Sequence, residues 1–302
     1  MNEIKKNGYF VEAQACADLV GLDLIGENIK LDRVAQLKEA SFGALRFVNV
    51  FSDQNVKFLN QLDKSLMIAL PSYRGKLNIP HMISDDPKLH FCIIANKFFP
   101  PEINSKKVEK TARLGENISI GQNVYIGHNT VIEDNVTIGT GSIILHNVVI
   151  SKNCKVGNEC LVKSGSIIGQ RGFGFQRDFN NIPISFPHYG AVFIGNNVEI
   201  GALNTIASGS LENTVIADNV KTNDHVHIAH NVLVGEGTLI TACAEISGSV
   251  KIGKNCWIGP NSAIKNGLSI GDNVFVGIAA VVTKSLNDNV RVAGNPARSL
   301  VR

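Results

Sequence analysis

The chain has 302 residues, enough for one large domain or two ordinary ones, and at 44% hydrophobic residues it can bury a substantial core. A net charge of +3, spread over intermixed basic and acidic residues with no basic stripe, argues against nucleic acid as partner, whereas scattered lysines suit a phosphate-bearing small molecule. The first residues, MNEIKKNGYF, lack an apolar signal core and no apolar run reaches transmembrane length, so a cytoplasmic protein without a transmembrane segment is expected. Six cysteines fall in no metal-ligand or disulfide spacing, which predicts reduced thiols and no metal centre.

In chain order, residues 1–105 mix short helical and strand patterns, as in LDRVAQLKEA, ALRFVNVF and SLMIALP, and are expected to form a small α/β domain. FFPPEIN then reads as a joint, because Pro100 and Pro101 cannot continue a helix and favour an extended connector; the boundary is expected near residues 100–110. The second domain is expected over 106–302, and across most of its stretch from Leu114 to Val282 an aliphatic residue returns at every sixth position. One run goes from Leu114 through Ile120, Ile126 and onward to Ile168; a second restarts at Ile194, slips by four residues after Ile206, and continues from Ile216 to Val282 with only Thr222 breaking the rule. Helices return at three and four and strands at two, so strict sixes mark the hexapeptide repeat of a parallel β-helix. Glycine often follows the anchor, as in IGQN, IGHN and IGKN, where a sharp corner leaves little room. The interruption GQRGFGFQRDFNNIPISFPHYGAV, near 169–193, concentrates Gly, Pro, Arg and four Phe and is expected to be a functional loop or an arm on a neighbouring subunit; after Val282 only a short cap is expected.

Three strands per coil put residues eighteen apart on adjacent coils, about 4.8 Å apart. In KTNDHVHIAHNVLVG, Val226, Ile228, Val232 and Val234 point inward, leaving His225, His227, His230 and Asn231 outside or at a corner. His230 then lies one coil from Gly248, and His227 one coil from Glu245. An exposed histidine beside a glycine backbone makes a base and oxyanion-donor pair. His225 and His227 also read as ordinary surface residues, and no acidic or cysteine cluster completes a metal site around them.

The ordered motifs GFGF (172–175), VEIGA (198–202), LENTVI (211–216), IAHN (228–231) and ISGSVKIG (246–253) resemble the UDP-3-O-acylglucosamine N-acyltransferase family of lipid A synthesis, and the likeness extends to LDRVAQLKEASFGALRFV and FFPPEIN. The resemblance implies a mainly β fold, a left-handed parallel β-helix preceded by the small α/β domain; a homotrimer with sites between subunits; and N-acyl transfer. It also implies His230 as general base and the Gly248 backbone N–H as oxyanion donor, with Phe47 and Asn49 matching part of the uridine grip. The chain departs from the family at Ile206-Ala207-Ser208-Gly209, where an acidic–arginine pair is usual, and at Ile264-Lys265-Asn266-Gly267, where a histidine is expected. Its ending, AAVVTKSLNDNVRVAGNPAR, resembles coenzyme-A-dependent transferases that acylate nucleotide-linked amino-deoxy sugars for surface polysaccharides.

The leading expectation is therefore transfer of a short acyl group, acetyl or 3-hydroxybutanoyl in type, from acyl-coenzyme A as co-substrate to the amine of a dTDP- or UDP-linked amino-deoxy sugar, with no permanently bound cofactor. Asn223 and Asp224 are candidates for contacting the sugar or orienting the histidine, with tight-turn corners as the equal alternative. Lys284, Arg298 and Arg302 are candidates for coenzyme A phosphates. Two alternatives stand beside it: the lipid A reaction, with acyl carrier protein as donor, and a non-catalytic solenoid that binds sugar nucleotides.

Overall fold

The computed structural model describes residues 10–39, 41–62, 64–100 and 107–300. They divide into two compact units, 1–104 and 105–302. Residues 101–106, which hold most of the expected joint, and Arg302 lie outside the described residues.

The first unit is built on four parallel strands in the order Arg33–Val34, Ala44–Val48, Ser65–Ala69 and His81–Ile83. Ser65–Ala69 is buried throughout, as a parallel strand covered on both faces must be, which is why SLMIA reads as a continuous apolar run. Helices Ala13–Val20, Asp53–Leu59 and Pro87–Phe98 accompany the sheet. The last two start on side-chain caps: Ser52 Oγ accepts from Asn55 N (3.0 Å) and Asp86 Oδ1 from Leu89 N (3.0 Å), with Pro87 at the first helical position. LDRVAQLKEA forms no helix among the described residues; its first half supplies Leu31 and the strand Arg33–Val34. Arg46, fully buried, holds the segment before its own strand, donating to Gln36 O, to Ser41 O (3.1 Å) and to Ser41 Oγ (2.8 Å).

The second unit is the hexapeptide solenoid. Short strands, mostly of two residues, stack into three sheets of nine, eight and ten described strands, parallel except for the last strand of the ten. Regular coils pair residues eighteen apart, as Ile246 with Ile264, and the anchors from Ile126 onward fill a single aliphatic core. Leu114 and Ile120, on the first coil, are 43% and 36% exposed, having no coil beneath them to cover them from within the stack. Thr222 is buried despite its hydroxyl because Oγ1 is satisfied, accepting from Gly201 N (3.0 Å) and Asn204 Nδ2 (2.6 Å).

The glycine that follows an anchor serves close approach between coils. A Cβ on Gly157 would lie 2.4 Å from Gly195 O, a clash with backbone that cannot yield. The left-handed turn comes two residues later and is carried mostly by asparagine, as at Asn197 (φ 52°) and Asn255 (φ 54°), the non-glycine residue that adopts it most readily. Hence the recurring Gly-x-Asn.

Two irregularities interrupt the stack. Residues 169–193 contain an antiparallel hairpin, Phe175–Arg177 with Pro183–Ser185, closed by Asp178 Oδ1 accepting from Asn180 N and Ile182 N (2.8 Å each). The four-residue slip after Ile206 becomes a bulge over residues 207–213, so that Ile206 pairs with Ile228, twenty-two residues on. At the far end Arg291–Ala293 joins a sheet in parallel and Arg298–Ser299 turns back antiparallel, ending the parallel stacking.

Candidate active site

Both irregularities converge on His230. A cleft of about 380 Å³ is lined by His230, Gly248, His227, Glu245, Ser247 and Phe173, together with smaller residues. His230 follows the short strand His227–Ile228, and register places Gly248 one coil away. The imidazole lies directly over that glycine: a Cβ there would be 2.6 Å from His230 Cε1 and 2.7 Å from Nε2. Any other residue at 248 would push the ring aside.

The tautomer of His230 follows from its neighbours. Nδ1 is 2.9 Å from Asn231 Oδ1. That amide is oriented by two other contacts: Oδ1 accepts from Ser210 N (3.2 Å), which can only donate, and Nδ2 donates to Glu212 O (3.4 Å). Ser210 Oγ, at 2.8 Å, adds a third donor. Oδ1 is therefore an acceptor, Nδ1 carries a proton, and in the neutral imidazole the lone pair is on Nε2. Ser210 and Glu212 both stand on the bulge that the four-residue slip creates, so the slip is what builds the support behind the base.

The Gly248 N–H makes no hydrogen bond among the described residues, whereas Ser247 N donates to Ile264 O and Ser249 N to His230 O. At several other corners the same amide is taken by a side chain one coil on: Glu116 N donates to Asp134 Oδ1 (2.7 Å), Lys254 N to Asp272 Oδ1 (2.7 Å) and Thr140 N to Asn158 Oδ1 (2.8 Å). Asn266 occupies the corresponding position above Gly248 and does not accept from it, so the amide stays available in a cleft that both residues line.

The insert contributes His188, whose ring meets that of His230 edge to face with centroids 5.6 Å apart. Gly172 and Gly174 of GFGF allow this approach: a Cβ on Gly172 would lie 3.1 Å from His188 Nε2 and 3.2 Å from His230 Cβ. His188 Nδ1 is 3.0 Å from Phe186 O and so carries its proton there. Its Nε2 is buried without a hydrogen-bond partner among the described residues. Burial holds His188 below the usual histidine range; the Phe186 carbonyl works against this, and His230 and Arg171 add to the lowering.

The other expected residues are dispersed. Asn223 and Asp224 sit at the preceding corner, where Asp224 Oδ1 accepts from Ala202 N (2.7 Å) and Asn223 Oδ1 from Asp224 N (2.8 Å); they are turn residues, and the group orienting His230 is Asn231. His225 is a left-handed corner residue (φ 59°), while His227 Nδ1 meets Thr205 Oγ1 at 2.7 Å. Ala207 leaves the cleft wall small where an acidic side chain was expected by resemblance, and the carboxylate present is that of Glu245. Lys284 and Arg298 are exposed near the end of the solenoid. In the first unit Phe47 packs on Phe91 with ring centroids 4.8 Å apart, and Asn49 is exposed just past the same strand. Among the described residues no group of three or more His, Cys, Asp or Glu is arranged to hold a metal ion, and no helix is long and apolar enough to cross a membrane.

Known proteins resemble this chain in sequence and in fold. The bacterial transferase hexapeptide (six repeats) family matches residues 117–152 and 249–284. A UDP-3-O-acylglucosamine N-acyltransferase of Coxiella burnetii (strain Dugway 5J108-111) is 34% identical over 253 residues, covering 77% of this chain and 73% of that protein. This chain belongs to the UDP-3-O-acylglucosamine N-acyltransferase family. A second member, UDP-3-O-acylglucosamine N-acyltransferase 2 of Legionella pneumophila (strain Paris), is 42% identical over 243 residues, covering 74% and 70% of the two chains. Among solved structures, LpxA from Acinetobacter baumannii superposes with a TM-score of 0.59 at 24% identity, over 64% of this chain and 73% of that one. The UDP-N-acetylglucosamine acyltransferase from Campylobacter jejuni gives 0.58 at 23%, over the same shares. These likenesses establish the fold, a left-handed parallel β-helix. The protein is an acyltransferase of the hexapeptide-repeat class.

Proposed function

We propose that this protein acylates the amine of UDP-3-O-acylglucosamine, the step of lipid A synthesis for which its relatives are named, by direct attack of the amine on an acyl thioester. The observation that carries the chemistry is the pairing of a histidine, whose neutral form has its lone pair on Nε2, with an unengaged backbone amide one coil away. His230 Nε2 takes a proton from the amine as its nitrogen bonds to the thioester carbon; Gly248 N–H receives the oxyanion; collapse breaks the C–S bond, and the imidazolium returns the proton to the leaving thiolate. General-base assistance of this kind is worth about 10² to 10⁴ in rate, and one oxyanion donor about 10² to 10³.

Identities of 34% and 42% over most of both chains support the lipid A acceptor above the short-acyl, coenzyme-A-dependent reaction on an amino-deoxy sugar that the sequence alone favours. In this reading the protein works as a homotrimer, the acyl donor is a carrier-protein thioester, and Phe47 and Asn49 contact the nucleotide. The test is to incubate the purified protein with UDP-3-O-acylglucosamine and with UDP- and dTDP-linked amino-deoxy sugars, each with acyl carrier protein and coenzyme A thioesters, and to weigh the products. The N-acylated glucosamine formed from the carrier-protein thioester is the expected product. Transfer solely from short-chain coenzyme A thioesters to an amino-deoxy sugar refutes the assignment.

A further inference from the structure

The cleft around His230 holds a carboxylate that neither the base nor the oxyanion site uses. Glu245 opens the strand Glu245–Ile246, beside His227 in the parallel pairing. Its oxygens accept from Ser247 Oγ at 3.0 and 3.2 Å, and among the described residues no Lys, Arg or His lies within ion-pairing distance of it. Ser247 thus orients the carboxylate without neutralising it.

Small residues separate this group from the base. Ala207, Ala229 and Ser247 each follow one of the paired anchors Ile206, Ile228 and Ile246, and all three line the cleft. Three residues of chain span at most about 10 Å, so Glu245 and the Gly248–His230 pair face one floor of small residues within that reach of each other. A ligand amine lying on this floor meets two acceptors, the Glu245 carboxylate and the Nε2 lone pair of His230. An ammonium satisfies both and matches the charge of the first. A hydroxyl gains no charge complement, and an N-acyl group has lost the positive charge altogether.

We propose that Glu245 is a specificity-determining residue of this cleft, which receives the acceptor sugar's amino group as its ammonium form and so favours amine acceptors over hydroxyl or N-acylated ones. This rests on the amine acylation proposed above. The bound ammonium releases one proton to solvent before reaction, and the next leaves to His230 as the C–N bond forms. Once the nitrogen is acylated, the charge that held it is gone, and the product is released more readily than the substrate.

Calorimetric titration tests the inference without turnover. UDP-3-O-acylglucosamine and its N-acetylated form are titrated into wild type and Glu245→Gln at pH about 6.5, below the roughly 7.7–8.0 at which α-amino groups titrate. Hydrogen bonds to charged groups predict that wild type binds the free amine at least about tenfold tighter than the N-acetylated ligand. Glu245→Gln is expected to abolish that preference while holding its affinity for the N-acetylated ligand within about twofold. An undiminished preference in Glu245→Gln, or no preference in wild type, overturns the role of Glu245 and leaves amine acylation standing. No affinity of wild type for either ligand, together with no product in the mass assay, overturns the reading it rests on and this inference with it.

Discussion

Substitution of Gly248 by alanine tests the site most directly, because it moves the base and keeps the oxyanion donor. Alanine retains the backbone N–H, and Gly248 has no left-handed φ that a side chain would strain. The new methyl carbon would sit 2.6 Å from His230 Cε1 and 2.7 Å from Nε2, whereas comfortable contact needs about 3.5–4.0 Å. The imidazole must therefore retreat by roughly 1 Å, a misplacement that costs on the order of 10² in rate. Its retreat is hinged at the bond to Asn231 Oδ1, so the ring tilts and Nε2 moves most. Steady-state kinetics on Gly248→Ala should show kcat reduced about 10²-fold with the acceptor KM little changed. Thermal unfolding should stay near wild type, since the displaced atoms are the tip of a side chain in an open cleft. A kcat within about threefold of wild type, with the fold intact, would show that the position of His230 over Gly248 is immaterial to the chemistry.

Two further outcomes follow from the same geometry. His230→Ala should lower kcat by about 10² to 10⁴ while calorimetry finds affinity for the N-acetylated sugar nucleotide retained; a variant that turns over at the wild-type rate removes His230 as the base. His188 is held below the usual histidine range chiefly by burial, so its neutral form favours the folded state. Its contribution to stability is present above the unfolded value of about 6.5 and is lost as pH falls from there towards the lowered folded value. Unfolding temperatures measured across that window should fall less steeply for His188→Asn than for wild type, and parallel curves would show that His188 does not titrate between the two states.

The solenoid was legible because burial imposes it directly: each coil repeats one inward position every six residues, and the sequence must supply an aliphatic side chain there. The glycine after the anchor was visible too, but its reason was not, since a clash such as that between Gly157 and Gly195 O depends on a coil thirty-eight residues away in sequence. The eighteen-residue spacing put His230 beside Gly248, and the family resemblance singled that pair out from the neighbouring histidines. Asn231 could be placed at a corner, yet its function depends on Ser210, which reaches it only through the bulge at 207–213. His188 gave no periodic signal at all, because its contact with His230 is made by a hairpin excursion outside the repeat. Asn223 and Asp224 look polar and available in sequence; in the structure both carboxamide and carboxylate are occupied in closing turns.

The same contrast between regular and irregular corners yields a prediction in the opposite direction. At several corners the amide after the inter-coil glycine is consumed by a side chain one coil on, as Lys254 N is by the carboxylate of Asp272. The position one coil on from Gly248 is Asn266, and its side chain makes no such bond. Asn266→Asp supplies the acceptor found at the regular corners, in the register where they use it, and should draw the Gly248 N–H into an ordinary corner bond. The variant should then be at least as stable as wild type, because it adds a hydrogen bond to a charged acceptor. It should also lose about 10² to 10³ in kcat, because the donor is no longer available when the oxyanion forms. Loss of activity with gain or retention of stability distinguishes this from disruption of the coil, which would lower both. A crystal structure of the variant showing the introduced carboxylate on Gly248 N, combined with undiminished kcat, would mean that the oxyanion is held by some other group.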